Sequence, residues 1–358
     1  MDKSFDQIKK PALDARYDAQ KIAFAPVVFQ AVKILRDRDI LSKIEESGDT
    51  GKTIEELSQD TGISAYGVRV LLETGLSAGV VHMKDERYLL TRTGYFIIND
   101  EMTRVNMDFI QDVCYLPLFH LEESIEKGSP RGLKVFGNWK TVYEGLAELP
   151  EEVKKSWFAF DHFYSDSAFP KALPHVFRNG PKTLLDIGGN TGRFALRCLA
   201  HDPEVKVTIA DLPGQLAVAF KNAEDAGVSN HLQGTAVDLL EESSELPSGF
   251  DAVWMSQFLV CFSPEEIHNI LVKVREAMDE NTELYILDTF WDRQAWDIAA
   301  YCLINSSPYF TAVANGNSMM YRSEDFYAFL EKAGLQVTEE WDGLGISHTL
   351  LCCGKVGK

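Results

Sequence analysis

The stretch Thr183-Leu184-Leu185-Asp186-Ile187-Gly188-Gly189-Asn190-Thr191-Gly192-Arg193-Phe194 constrains this chain more than any other. A short apolar run ends in an acid, the backbone turns on glycines that tolerate positive φ and close approach of a ligand, and apolar periodicity restarts at Phe194, Leu196 and Leu199. This is strand, loop, helix. The dinucleotide pattern G-x-G-x-x-G does not fit, since Asn190 stands at its second glycine and none follows three residues later. Asp-x-Gly-x-x-x-Gly over 186–192 does fit. Alone, such a loop is equally an ordinary strand-to-helix turn, so its surroundings decide.

Those surroundings alternate. Val205 to Ala210 reads as a buried strand ending in Asp211, Gln233 to Val237 leads to Asp238, Phe250 to Met255 is a fourth strand and Glu283 to Asp288 a fifth. Ser263-Pro264-Glu265-Glu266 caps a helix carrying Ile267, Ile270, Leu271 and Val274. After a last helix over 324–333 and Gly334, two alternating segments, 335–341 and 347–353, close the sheet as an antiparallel hairpin. The expectation is an α/β fold, a Rossmann-like doubly wound, mostly parallel sheet of seven strands.

The first part of the chain differs. Apolar residues recur at helical spacing over 17–44, with Pro26 near a helix start or kink. Thr53 to Glu56 forms a capping box, a second helix follows Ser64, and Val80 to Met83 and Tyr88 to Leu90 flank a polar tip. Helix, turn, helix and hairpin make a winged helix, which invites a DNA-binding reading. Charge argues against it: over 53–98, four cations (Arg69, Lys84, Arg87, Arg92) face six acids (Glu55, Glu56, Asp60, Glu73, Asp85, Glu86), whereas a phosphate-lined groove demands several cations. A dimerisation module fits better. Residues 105–180 are helical and aromatic-rich, giving an expected division into 1–104, a helical segment 105–180 lining a pocket, and 181–358.

The formal charge of −19 disfavours nucleic acid and anionic membranes as partners. Six cysteines show no metal spacing and read as small buried hydrophobes. With neither a leader-like N-terminus nor an apolar run of bilayer length, the expected location is the cytoplasm, and no metal is expected.

In an open parallel sheet ligands bind beyond the carboxyl ends of the strands, where 186–192, Asp211, Asp238 and Ser256-Gln257 all fall. Asp211 is placed to accept both hydroxyls of a ribose, the alternative being a helix N-cap. Asp238 is placed to accept an adenine amino group with Leu239 against the ring, the alternative being a surface turn.

The order of motifs over 112–358 resembles that of the plant-type small-molecule O-methyltransferases and their bacterial relatives, class I S-adenosylmethionine (SAM) enzymes with a winged-helix dimerisation domain. The resemblance is carried by Tyr115-Leu116-Pro117-Leu118-Phe119-His120-Leu121 leading to Gly128, Trp139 before Tyr143-Glu144, Leu185-Asp186-Ile187-Gly188-Gly189, Asp211-Leu212-Pro213, Val237-Asp238, Asp251-Ala252-Val253-Trp254-Met255-Ser256, and Asp325-Phe326 through Ala333-Gly334-Leu335. It implies a homodimer, SAM as methyl donor and a small aromatic acceptor. It also implies a cofactor site of Asp186, Gly188, Gly189, Gly192, Asp211, Leu212, Asp238, Leu239, Ser256 and Gln257, with the glycine loop holding the methionine end.

One departure stands out. The family's proton-accepting histidine falls on Val260, Met320 occupies the place of an acid that positions it, and a second such acid is kept as Asp288. Methyl transfer from a sulfonium needs mainly alignment in a dry site, but a phenol with a pKa of about 10 gains roughly 10² to 10⁴ in rate from a positioned base. The catalytic group is therefore open. His162, Asp161 and Asp288 are the candidates, against packed-helix, surface-charge and structural readings; Cys261 reads as an inert thiol and His268 as solvated surface. Three outcomes stay open: a more acidic, nitrogen or carbon acceptor, another base, or a SAM-binding protein that has lost transfer.

Overall fold

The computed structural model describes residues 10–357, so the very start of the 1–104 segment and the last residue of 181–358 lie outside the described residues. The chain divides into two compact units, 1–110 and 111–358.

In the first unit, α1 (Ala12–Asp37) is followed by α2 (Ile40–Glu46), the two separated by Asp39 in the left-handed region at φ 59°. Pro26 lies inside α1, neither at its start nor at its end. Then come α3 (Ile54–Thr61), α4 (Ala65–Ser77), the hairpin β1 (Val81–Lys84) and β2 (Arg87–Leu90), α5 (Arg92–Asn99) and α6 (Glu101–Phe109). The Thr53–Glu56 capping box is present in both directions, and Gly62 terminates α3 at φ 70°. Leu35, Leu41, Leu57, Val68, Leu72 and Tyr88 form its core. Two of the four winged-helix cations are paired within the unit: Arg87 bonds the Thr50 and Gly51 carbonyls and the Glu56 carboxylate, and Arg69 sits 3.8 Å from Glu73.

In the second unit, α7 (Leu121–Lys127), α8 (Val142–Gly145), α9 (Glu151–Ser165) and α10 (Phe169–Val176) precede the sheet. There follow β3 (Thr183–Ile187), α11 (Arg193–His201), β4 (Lys206–Asp211), α12 (Pro213–Asp225), β5 (Leu232–Ala236), β6 (Ala252–Ser256), α13 (Pro264–Ala277), β7 (Glu283–Asp288), α14 (Asp297–Tyr309), α15 (Ser323–Lys332), β8 (Leu335–Leu344) and β9 (His348–Lys355). The strand order is β5-β4-β3-β6-β7-β9-β8, with β3 to β7 mutually parallel and β9 antiparallel to both neighbours. This is the seven-stranded, doubly wound sheet with a closing hairpin. The strands are apolar on both faces because helices cover both, as in β3 and β6, whose residues are almost all buried. The order turns at β3, with the next strand in sequence on one side and β6 on the other, which opens a crevice at the carboxyl ends of β3, β4 and β6.

Candidate active site

The loop after β3 is built for close approach. Gly188 has φ +70° and a Cβ there would fall 2.2 Å from the Phe258 ring; one at Gly189 would fall 2.8 Å from the Asp186 carboxylate. Asn190 is left-handed at φ 50°, a conformation that costs a residue with a side chain and concentrates at binding sites. Its N–H donates to Asp211 Oδ2 at 2.8 Å, while Leu212 N–H donates to Oδ1 at 2.7 Å. Asp211 thus ties the loop of β3 to the end of β4. Gly192, at φ 78°, starts α11.

The registers place the other residues on the same edge. Ile187 is opposite Ala210 and Met255, Asp211 is opposite Ala236, and Ser256 is opposite Leu287. Val237 N–H donates to the Asp211 carbonyl at 3.0 Å, bringing the chain entering Asp238 beside Asp211. Asp238 is exposed and accepts Leu240 N–H at 2.9 Å, an Asx turn, while Leu239 is buried. Lys273, which the sequence did not single out, clips this turn by donating to the Leu239 carbonyl and the Ser244 hydroxyl. Gln257 is left-handed at φ 49° and its N–H donates to the Leu287 carbonyl at 2.8 Å.

Four buried acceptors at the carboxyl ends of these strands have no hydrogen-bond partner: Asp186 Oδ2, Asn190 Oδ1 and the Ser256 hydroxyl around the glycine loop, and Asp288 Oδ2 at the end of β7. Buried polar atoms are ordinarily paired, so such a cluster marks where a ligand completes the structure. Burial pushes Asp186 up to about 8, with the neighbouring Asp211 adding to the rise. Burial likewise raises Asp211, against the two N–H bonds that favour its anion. Two carboxylates held close together with no cation between them form a site for a positively charged, hydroxyl-bearing molecule.

The candidate proton acceptors lie nearby, in the same unit. Val260 is buried in the turn Leu259–Cys261. Asp288 is 1 % exposed, accepts Thr289 N–H at 2.8 Å, and is pushed up to about 7 by burial. Met320 packs beside them, its sulfur 3.9 Å from the Thr289 hydroxyl. His162 stacks on Phe158 and stands 3.8 Å from Asp161 and 3.9 Å from Asp166; burial lowers it, as does Arg193. Asp161, its side chain 31 % exposed, is pushed up to about 7 by burial and by Asp166. His268 is half-buried with an unpartnered Nδ1, in a groove with Pro264, Phe329 and Lys332, so its reading as solvated surface is corrected. The Cys261 thiol, raised by burial, donates to the Gln257 carbonyl at 3.5 Å.

Residues 16–88 match the Dimerisation2-like domain model, and residues 153–336, more than half of the chain, match the O-methyltransferase domain model. The chain belongs to the O-methyltransferase domain family. It is 24 % identical over 317 residues to the L-tyrosine C(3)-methyltransferase of Streptomyces lavendulae, covering 87 % of this chain and 85 % of that one. It is 25 % identical over 285 residues to the bacteriochlorophyllide d C-20 methyltransferase of Chlorobaculum tepidum, covering 78 % and 80 %. The fold matches that of the SAM-dependent methyltransferase SibL in its apo form, with a TM-score of 0.70 at 23 % identity, over 94 % of this chain and 98 % of the other. As a methyltransferase of this family it uses SAM as methyl donor. The residues on the sheet edge fit that group: SAM is cationic at the sulfonium and ammonium and carries a ribose diol, and the edge offers unpartnered acceptors and paired carboxylates. No helix among the described residues is long and apolar enough to cross a membrane, and no cluster of His, Cys, Asp or Glu among them is arranged for a metal.

Proposed function

We propose that this protein transfers the methyl group of SAM to a small aromatic molecule, as a homodimer paired through its first 104 residues, with the aromatic helices of 105–180 lining the acceptor pocket. The observation that carries the proposal is the set of unpartnered buried acceptors, Asp186 Oδ2, Asn190 Oδ1 and Ser256 Oγ, around the glycine loop. In this reading Gly188, Gly189 and Gly192 let the backbone approach the methionine end, with Asp186 facing its positive charge. Asp211, already oriented by the Asn190 and Leu212 N–H groups, accepts from the ribose diol. Leu212 and Leu239 pack against the adenine, Asp238 accepts from its amino group, and Ser256 and Gln257 close the site at the end of β6. SAM supplies a methyl group already activated by the sulfonium, so the protein's task is alignment, exclusion of water and acceptance of one proton.

Oxygen is the default acceptor atom. A carbon acceptor is the second reading, favoured because the two relatives described above are named for methylation at carbon. Retention of SAM binding without transfer is the reading from a different class, prompted by Val260. Incubation with SAM over a panel of phenols, hydroxyindoles and amines, following release of S-adenosylhomocysteine and locating the new methyl group by NMR, separates the three. Release of the product on no acceptor, with SAM bound, contradicts the proposal.

A further inference from the structure

In the corner formed by Val260, Met320 and Asp288, Val260 is apolar, the Asp288 Oδ1 accepts the Thr289 N–H, and the Asp288 Oδ2, although without a partner, belongs to a residue only 1 % exposed. Asp161 differs in its exposure. It lies near the C-terminal end of α9, and its side chain is 31 % exposed while protein around the carboxyl disfavours its charge. Trp157, one turn earlier on the same face, donates its indole N–H to the Tyr309 hydroxyl at 2.7 Å. The Tyr143 hydroxyl and the Cys261 thiol bond each other, and Cys261 leads through Gln257 to the cofactor edge. Both tyrosines and the cysteine lie within the field of Asp161. Trp157 holds the Tyr309 hydroxyl and the Cys261 thiol is held by the Gln257 carbonyl, whereas no hydrogen bond to the Asp161 carboxylate is formed among the described residues, His162 Nδ1 standing 3.8 Å away.

We propose that Asp161 takes the hydroxyl proton of a phenolic acceptor seated among Tyr143, Trp157, Tyr309 and Cys261, in place of the absent histidine. The inference rests on the methyltransferase reading above. The proton passes from the acceptor oxygen to the Asp161 carboxylate; an oxygen electron pair forms the O–CH3 bond as the S–CH3 bond breaks, its electron pair staying on sulfur. S-adenosylhomocysteine leaves neutral at sulfur, and the proton is released to water.

The surroundings of Asp161 suit this work. An ordinary carboxylate is a feeble base for a phenol of about 10, and a carboxylate at about 7 improves the proton-transfer equilibrium by a factor of about a thousand. Burial and the Asp166 charge raise Asp161; Arg193, ion-paired to Asp166, moderates the rise. From the other elements Arg193 of α11 is the charged group that acts on it, and the neutral groups are the Tyr143 and Tyr309 phenols and the Cys261 thiol, each raised by burial, with Asp288 beyond Cys261.

The test compares the whole protein with Asp161→Asn and Asp161→Glu on phenols of graded acidity. In the unaltered protein kcat/KM rises with pH through an inflection near 7. Asp161→Asn is expected to lose about 10² to 10⁴ of the rate near neutrality, to shift its inflection to the acceptor's own hydroxyl pKa, and to recover on acidic nitrophenols, with SAM affinity unchanged by calorimetry. Asp161→Glu keeps an inflection and part of the rate. Independently of turnover, the carboxylic-acid infrared absorbance that titrates near pH 7 falls by one group in Asp161→Asn, the Asp288 contribution remaining. An Asn variant with the rate and pH profile of the unaltered protein, or one that loses SAM affinity, overturns the assignment. Failure of the unaltered protein to bind SAM overturns instead the reading on which it rests.

Discussion

At the scale of single residues the site is an acidic edge that stays partly protonated until a cation arrives. Asp186, 2 % exposed and raised to about 8, is largely protonated at neutral pH without ligand, and a cationic ligand favours its anion. Binding therefore releases a proton, and SAM affinity is expected to tighten as pH rises from about 6 to about 7.5, by up to tenfold per pH unit. Calorimetry at several pH values checks this; Asp186→Asn should flatten the slope, and an unchanged slope would remove Asp186 from the site. Gly188 makes a second prediction. A methyl group there meets the Phe258 ring at 2.2 Å on a backbone at φ +70°, so Gly188→Ala should cost about 1–3 kcal/mol of stability and most of the SAM affinity. A thermal melt and a titration matching the unaltered protein would contradict it.

At the scale of elements, the strands announce themselves in sequence because both faces are buried and their ends carry acids. The Thr53 and Ser263 caps are equally legible, since each is a local bond between residues three apart. What escaped was less local. α5 is hidden because Gly94 lowers helix propensity, yet glycine is required there, as a Cβ would strike the Val80 carbonyl at 2.4 Å. α14 carries Pro308 in its last turn and no clean apolar face. The cofactor edge was readable from strand ends, whereas the character of Asp161 depends on which face of α9 meets the recess and on neighbours 18 and 100 residues away, so no spacing rule could reveal it.

His348 on β9 also shows its nature only in the fold. It is fully buried, neither ring nitrogen has a partner, and burial lowers it to about 4. Its folded value lies below its unfolded one, so its contribution to stability is complete above about 6.5 and is lost as pH falls toward about 4, by up to about 1.4 kcal/mol per pH unit. Asp161, Asp186 and Asp288, raised in the folded state, act with the opposite sign, losing stability as pH rises toward 7 or 8. Urea unfolding of His348→Met beside the unaltered protein isolates the histidine: the variant should gain relative stability below about pH 6, and parallel curves would refute the account.

At the scale of the whole molecule, the first unit has a winged-helix shape without its usual cations, and α1 exposes Leu13, Tyr17, Ile22, Phe24 and Val27. So many large apolar groups on one helix are a surface that a partner covers, and a second copy of this chain is the partner that the matched domain type suggests. Sedimentation should give a dimer, and Ile22→Asp with Phe24→Asp should shift it to monomer; a monomeric unaltered protein at micromolar concentration would contradict the pairing. The second unit is a SAM-methyltransferase fold with Val260 where the family resemblance puts a histidine, and the proposed cofactor and acceptor chemistry depend on the same edge of the sheet. The most direct test is calorimetric titration of SAM into the unaltered protein and into Asp211→Ala. The account predicts saturable one-to-one binding to the first and at least tenfold weaker binding to the second, whose loss removes the hydrogen bonds to a charged group, about 1.5–3 kcal/mol. No binding to the unaltered protein at millimolar SAM, or equal binding to both, would contradict it.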